Sequence, residues 1–439
     1  MAEETPDDPW TALRSARAGQ RVELTDGDGR TWTGAVVPRP DYHDDRVLQL
    51  KLDSGYNVGI RVDPGARWRL LPGGPARAPV AASPDTAGAP SRTEGPWVSL
   101  VTTGGTIASR VDYETGGVRP VQDEREILDF YPELESEGRV RIVPVFDRLS
   151  EDIAPDDWVT LASRIVAEFK EGAQGVVVSH GTDTLAFTSA ALSFLLQDLP
   201  GPVVLVGAQR SPDRPSSDGP SNLLAGVRVA RSPLVGEVVV VMHAGLSDGR
   251  FAIHRGTWVR KMHSSRRDAF ESRNGPPIGH VDADGVHWDA AVRPAAAGPP
   301  RLDGPIDGRG GLLWSFPGLA PERAEAFADG LRGVILAGTG LGHVSSAHLN
   351  WIRRATGAGK VVAMTTQCLE GNVDPFVYAT GRELQRAGVV YLGDLLPEVA
   401  YAKLLWALGH ASDPKAVEAL LLSDVAGEFL WRHRSGGDP

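Results

Sequence analysis

The chain carries one cysteine, Cys368, in 439 residues. A disulfide framework needs pairs and a cysteine-rich metal site needs more, so both are excluded. No stretch of 18 apolar residues occurs, so no membrane-spanning helix is expected. The start, Met1-Ala-Glu-Glu-Thr-Pro-Asp-Asp, is acidic and has no apolar core, so no secretory leader is expected and the cytoplasm is the expected address. Positive charge is in deficit: the formal net charge is −11 and the pI about 5.5, a poor match for broad contact with nucleic-acid phosphates. Lysine is scarcer still. Six of the 45 basic residues are lysine (51, 170, 261, 360, 403 and 415), so a lysine inside a motif stands out. The eleven histidines form neither His-Glu-x-x-His nor a zinc-finger spacing, so no metal is expected.

What remains is a globular balance, 41% hydrophobic and 23% charged, in a chain long enough for two or three domains. Arg21-Val-Glu-Leu, Thr31-Trp-Thr-Gly-Ala-Val-Val, Val47-Leu-Gln-Leu-Lys-Leu and Tyr56-Asn-Val-Gly-Ile-Arg-Val alternate apolar and polar residues around Asp26-Gly-Asp-Gly and Asp53-Ser-Gly turns. Five short strands in about 60 residues predict a small all-β barrel over 1–71. Residues 72–95 are rich in Pro, Ala and Ser and predict a linker.

From Trp97 the pattern becomes α/β. Apolar runs at Trp97, Val140, Gly175, Val203 and Val238 predict buried parallel strands. Helical periodicity falls between them at 156–170, 184–197 and 219–230. Runs at Gly333, Val361 and Val389 repeat the pattern after a Pro/Ala/Gly-rich stretch near Arg293. The expected organisation is a larger α/β domain over 96–300, carrying the site, and a smaller α/β domain over 301–439.

In open α/β sheets, sites lie at the carboxyl ends of strands. Two such ends are rich in threonine and glycine: Thr102-Thr-Gly-Gly-Thr-Ile-Ala and Ser179-His-Gly-Thr-Asp-Thr. Each could be only a tight turn of small residues; the pair together points to a site. A threonine hydroxyl needs a base to become a nucleophile, and Asp183 or the rare Lys261 could help.

Thr103-Gly-Gly-Thr-Ile-Ala and His180-Gly-Thr-Asp-Thr, with Gly207-Ala-Gln-Arg and Asp218-Gly-Pro-Ser-Asn-Leu, resemble the bacterial-type L-asparaginase/glutaminase family over about residues 97–435. The N-terminal segment with Leu50-Lys-Leu-Asp-Ser-Gly-Tyr-Asn-Val-Gly-Ile is similar to the extension of the GatD family of Glu-tRNA(Gln) amidotransferase subunits. So are Arg260-Lys-Met-His-Ser-Ser-Arg-Arg, Gly338-Thr-Gly-Leu-Gly-His and Thr366-Gln-Cys-Leu-Glu-Gly. The resemblance implies an asparaginase-like pair of α/β domains behind a small barrel, and hydrolysis of a glutamine or asparagine side-chain amide without cofactor. It implies Thr106 as nucleophile, with Thr182, Asp183 and Lys261 as the activating group and Tyr113 as a lid residue over 110–117. Gly105, Ser150, Glu151 and Gly181 are implied in binding substrate. Glu151 departs from the glutamine of many asparaginases. Asp183 also suits the substrate's α-ammonium. A homodimer is implied, together with a GatE-like transamidase partner and, through it, tRNA.

Other readings weigh less. Cys368 lacks the Gly-x-Cys-x-Gly elbow of a cysteine glutaminase and is expected to be a packed small hydrophobe. Gly338-Thr-Gly-Leu-Gly misses the dinucleotide spacing by one residue. Ser216-Ser and Ser264-Ser lack the glycine-rich context of a Ser-Ser-Lys amidase. A free-standing L-asparaginase is the alternative function; an inactive asparaginase fold kept for binding is another, against which intact Thr106, Thr182, Asp183 and Lys261 speak.

Overall fold

A computed structural model describes residues 8–13, 16, 19–36, 46–52, 57–71, 95–104, 109–111, 118–120, 134, 137–210 and 217–430. The acidic residues 1–7, the Asp53-Ser-Gly turn and linker residues 72–94 lie outside them.

Near the N-terminus, β1 (Arg21–Thr25), β2 (Thr31–Val36), β3 (Val47–Leu52), β4 (Asn57–Arg61) and β5 (Arg67–Leu70) form one antiparallel sheet, ordered β4-β3-β2-β1-β5. Alternation sets its faces: Val22 and Leu24 are buried while Arg21, Glu23 and Thr25 are half-buried. With Leu50, Ile60 and Val62 they enclose Leu13, from a short helical turn, Pro9–Leu13, that the sequence pattern did not reveal. The Asp26-Gly-Asp-Gly turn closes β1 on β2. Asp26 Oδ1 accepts the N–H groups of Asp28 (3.0 Å) and Arg30 (2.9 Å), and Gly29 takes φ +82°.

The larger sheet has a parallel half: β6 (Trp97–Thr102), β7 (Val140–Pro144), β8 (Ala173–Ser179), β9 (Val203–Val206) and β10 (Val238–His243). After β10 come β11 (Phe251–Arg255), the hairpin β12 (Val259–Lys261) with β13 (Phe270–Ser272), then β14 (Gly279–Asp282) and β15 (Gly285–Trp288). The eight-stranded order is β15-β14-β11-β10-β9-β8-β6-β7, with β11, β14 and β15 antiparallel. Aliphatic runs such as 176–178, 203–206 and 238–241 are buried on both faces, as a sheet covered by helices requires. The antiparallel strands escaped sequence reading because β14 and β15 are four residues each and open on glycine, while β11, Phe-Ala-Ile-His-Arg, lacks a continuous apolar run.

Helices α1 (Pro155–Glu171), α2 (Leu185–Leu195) and α3 (Gly219–Ala230) connect the parallel strands. On α1, Trp158, Leu161, Ala162, Ile165, Val166 and Phe169 form one buried stripe. Asp157 accepts the Ala154 N–H at 2.8 Å at its start, and Gly172, φ +107°, ends it. A second, all-parallel sheet follows: β16 (Gly310–Trp314), β17 (Gly333–Gly338), β18 (Val361–Thr366) and β19 (Val390–Tyr391), in that order. Helix α4 (Pro397–His410) is buried on nearly every side. Its Ala400, Leu404 and Leu405 join Phe194 and Leu195 of α2 and Ile335 and Ala363 of the smaller sheet in one core. That shared core fixes the two sheets against each other.

Cys368 corrects an expectation: it is exposed, in the loop that leaves β18, because its N–H turns back to the Thr366 hydroxyl (3.0 Å). Among the described residues, no helix is long and apolar enough to cross a membrane.

Candidate active site

The register of β6 against β8 pairs Thr102 with Ser179, so both threonine-rich segments leave the sheet side by side. Thr103 ties them: its N–H and its hydroxyl both donate to Ser179 O, at 3.2 and 3.0 Å. Gly104, at φ +92°, faces the Arg148 backbone, where a Cβ would lie 2.5 Å from the carbonyl oxygen. Only glycine fits there. The segment after β7 is thereby drawn in. Thr184 Oγ1 donates to Ser150 O (2.6 Å), and a Cβ on Gly181 would meet Ser150 Cβ at 2.7 Å. Ser150 is buried and donates to Glu151 Oε2 (3.3 Å), which is exposed.

Lys261, at the end of β12, closes the arrangement. Its ammonium donates to Thr182 Oγ1 and to Asp183 Oδ1, each at 2.8 Å. The Lys261 side chain is 13% exposed and that of Asp183 68%, so the carboxylate stays open to a ligand while the ammonium is sheltered. Because the Thr182 oxygen accepts from lysine, its own proton is free to go elsewhere. The arrangement can stabilise negative charge on a threonine oxygen and hold a cation at Asp183. The hairpin bearing Lys261 is anchored next door: Arg260 Nε lies 3.3 Å from Glu398 Oε1 at the start of α4. Burial raises the Glu398 carboxyl pKa, with Arg260 opposing.

Four supports, His180, Gly207, Asn222 and Asp218, were not assigned roles by sequence reasoning, although each sits in one of the motifs that carry the resemblance. His180 is buried, and its Nδ1 donates to Gly181 O at 2.7 Å. The other nitrogen, Nε2, then accepts from Thr188 Oγ1 (2.9 Å), whose oxygen accepts from Trp158 Nε1 (3.1 Å). Burial lowers the imidazole pKa to about 4, in keeping with a neutral ring that orients the Gly181–Thr182 backbone. Gly207 lets the loop after β9 approach, since a Cβ there would lie 2.6 Å from Thr182 Cγ2. Asn222 fixes that loop: Nδ2 donates to Gly207 O (2.9 Å), and Oδ1 accepts from His243 Nδ1 (2.7 Å). Asp218 accepts the N–H groups of Gln209 and Arg210 at 3.0 Å. The Asp218-Gly-Pro-Ser-Asn spacing was the available signal.

Thr182, Asp183 and Lys261 are thus in direct contact, with Gly181 and Ser150 beside them. Gly105, Thr106 and Tyr113 lie outside the described residues; the backbone flanking Tyr113 pairs Ser109–Val111 with Val118–Pro120 antiparallel. Among the described residues, the cluster with metal-ligand character, His280, Asp282 and His287, includes none of these side chains.

Three family models match the chain: the GatD N-terminal domain over 16–71, the asparaginase N-terminal model over 97–293, and the glutaminase/asparaginase C-terminal domain over 311–421. The chain is 43% identical to the GatD-type glutamyl-tRNA(Gln) amidotransferase subunit of Saccharolobus islandicus, covering 94% of this chain and 93% of that protein. To the corresponding protein of Methanopyrus kandleri it is 44% identical, covering 95% and 93%. Among solved structures, the thermostable L-asparaginase from Thermococcus kodakarensis matches at 34% identity and TM-score 0.70, over 76% of this chain and 99% of that one. L-asparaginase I from Vibrio cholerae matches at 28% and 0.65, over 76% and 99%. The strand-end threonines, the lysine that bonds one of them and the N-terminal sheet therefore have one common explanation: the chain belongs to the asparaginase family of amidohydrolases, in its GatD-type branch.

Proposed function

We propose that this chain hydrolyses the side-chain amide of glutamine or asparagine through Thr106 and releases ammonia. The observation that carries this reading is the Lys261 ammonium shared by Thr182 Oγ1 and Asp183 Oδ1 just past the carboxyl end of β8, beside the end of β6. The Thr106 hydroxyl adds to the amide carbon, and its proton passes to the departing nitrogen, which leaves as ammonia. Water then cleaves the threonyl ester, returning a proton to Thr106 and freeing the carboxylic acid. Thr182, polarised by Lys261, carries protons in both steps. Asp183 holds the substrate's α-ammonium, with Gly105, Gly181, Ser150 and Glu151 around its amino-acid end. Tyr113 closes over the bound amide. No cofactor is required, because hydroxyls and backbone N–H groups supply nucleophile, acid and oxyanion donors.

The ammonia is delivered to a transamidase partner acting on Glu-tRNA(Gln), with this chain working as a cytoplasmic homodimer. The GatD-type relatives cover almost the whole chain, whereas the L-asparaginases cover 76% of it. The excess includes the segment that matches the GatD N-terminal domain. We divide the labour accordingly: residues 1–71 serve assembly through the 72–95 linker, while 96–300 with 301–439 hydrolyse amide.

Ammonia release from glutamine and from asparagine, by the full chain with and without a GatE-like partner, tests the reading. Hydrolysis that rises with the partner and its Glu-tRNA supports it. Strong hydrolysis indifferent to any partner moves the free-standing asparaginase ahead. A chain lacking 1–95 that folds yet loses hydrolysis would defeat the division of labour.

A further inference from the structure

At the far edge of the larger sheet, β14 and β15 present a second polar cluster that the amide chemistry does not use. The hairpin register pairs His280 with His287 and Asp282 with Gly285. Directly paired residues share a face, and so do residues two apart, so His280, Asp282 and His287 all project from one side. The opposite side carries Val281, Val286 and Trp288, which join the core under α3. The three polar residues are therefore held by a packed scaffold.

Their ligand atoms lie within 4.8 Å of one another. His287 Nε2 is 3.1 Å from Asp282 Oδ1, and His280 Nε2 is 3.5 Å from Asp282 Oδ2. Two donors, each about 2.0–2.1 Å from a tetrahedral zinc ion, stand about 3.3 Å apart, between those spacings. The imidazole rings stack at 4.8 Å between centroids, which places both on one flank of the carboxylate. A second carboxylate completes the pattern. Asp289 Oδ2 takes the His280 Nδ1 bond at 2.8 Å, leaving Nε2 as the lone-pair nitrogen that faces Asp282. This carboxylate–histidine pairing is how proteins fix the tautomer of a metal-binding imidazole.

We infer that His280, Asp282 and His287 form a binding site for a divalent transition ion of the zinc class, oriented by Asp289. Two imidazoles and one carboxylate suit zinc or cobalt and not magnesium or calcium, which take oxygen ligands. Three protein ligands leave a coordination position for water. The ion would clip β14 to β15 at the exposed sheet edge. This site lies outside the His-Glu-x-x-His and finger spacings, because its ligands are gathered across strands.

The test uses the untagged full chain stripped with chelator. Equilibrium dialysis against Zn2+ alone should show one tight equivalent per chain, and Co2+ should give a visible absorption band. His280→Ala and His287→Ala should each weaken Zn2+ binding at least tenfold and abolish the cobalt band, with unchanged circular dichroism. Asp289→Asn, a positioning change, should weaken it about tenfold. Zn2+ should raise the melting temperature of the parent chain but not of His287→Ala. Absence of saturable Zn2+ binding by the folded parent would overturn the site. So would equal binding by the parent and both alanine variants, which would place the ion on other side chains. Exposed His287→Asn, which preserves polarity at a 42% exposed position, serves in place of any variant that fails to fold.

Discussion

The parallel strands of the two sheets end in similar residues and use them differently. β18 runs out through Thr365, Thr366 and Gln367; β6 and β8 run out through Thr102-Thr103 and Ser179 to Thr182. In the smaller sheet, backbone carbonyls consume the polar groups. Thr365 Oγ1 donates to Leu395 O, Thr366 Oγ1 to Gly340 O (2.6 Å), and Gln367 Nε2 to Ala337 O (2.7 Å). In the larger sheet, Thr103 is consumed in the same way, by Ser179 O. Thr182 is not: its partner is an ammonium. Strand-end threonines are thus structural by default, and a charged side chain brought in from a distant hairpin sets one apart.

That contrast is sharpest at Lys261. Lys261→Met, and Thr106→Ala, should lower amide hydrolysis by roughly two orders of magnitude or more, about 3 kcal/mol of barrier, without unfolding the chain. Steady-state ammonia release checks this; near-normal turnover in folded Lys261→Met would make Thr182 as structural as Thr366.

Acid should separate the two strand ends next. The His180 imidazole has a folded pKa of about 4, lowered by burial, against 6.5 when exposed. Its contribution to stability is complete above pH 6.5 and is lost as pH falls towards 4, because the unfolded chain takes up a proton that the folded chain refuses. At about 1.4 kcal/mol per pH unit, this amounts to roughly 3 kcal/mol across the window. Buried His254, also lowered to about 4, adds to the same fall. Urea midpoints from pH 7.5 to 4.5 should therefore drop more steeply for the parent than for His180→Gln. Parallel slopes would mean that His180 is not the sensor.

Gly207→Ala tests the approach of the β9 loop. The added methyl must displace Thr182 Cγ2, 2.6 Å from its position. A shift of a few tenths of an ångström at a proton-carrying hydroxyl should lower kcat about tenfold, with KM for the amide nearly unchanged. An unaffected kcat would show that the loop yields instead of Thr182.

Sequence made the parallel strands legible because valine runs buried on both faces leave a continuous apolar signature, and α3 was read at its observed bounds for the same periodic reason. It made the threonine motifs legible because glycine spacing is local. It did not reveal how Lys261 reaches Thr182, 79 positions away, since a three-residue strand and its hairpin carry too few residues to show a period. Rarity pointed to Lys261, yet rarity is not specific: Lys403 is equally rare and lies fully buried beside Glu428, which tethers the end of the described chain. The cross-strand cluster at His280 was illegible for a related reason, because spacing rules for metal ligands assume helices and loops. The Cys368 expectation failed because residue type predicts burial only on average, and the turn after β18 points outward.

The smallest effect should come from the smaller sheet. In Thr366→Val the hydroxyl is lost from a site where it donates to Gly340 O (2.6 Å) and accepts the Cys368 N–H (3.0 Å). Thr366 is buried, but Gly340 and Cys368 are exposed, so both backbone groups can turn to water in its place. The expected cost is about 1 kcal/mol of stability, the usual net worth of such bonds when the replacement has the same shape. Amide hydrolysis at a temperature where the variant remains folded should match the parent, because Thr366 touches neither Thr182 nor Lys261 in the hydrogen bonds it makes. Paired urea titrations and ammonia assays separate the two quantities. A tenfold loss of hydrolysis with stability intact would break the comparison, placing the end of β18 within the amide site and making both strand ends chemical.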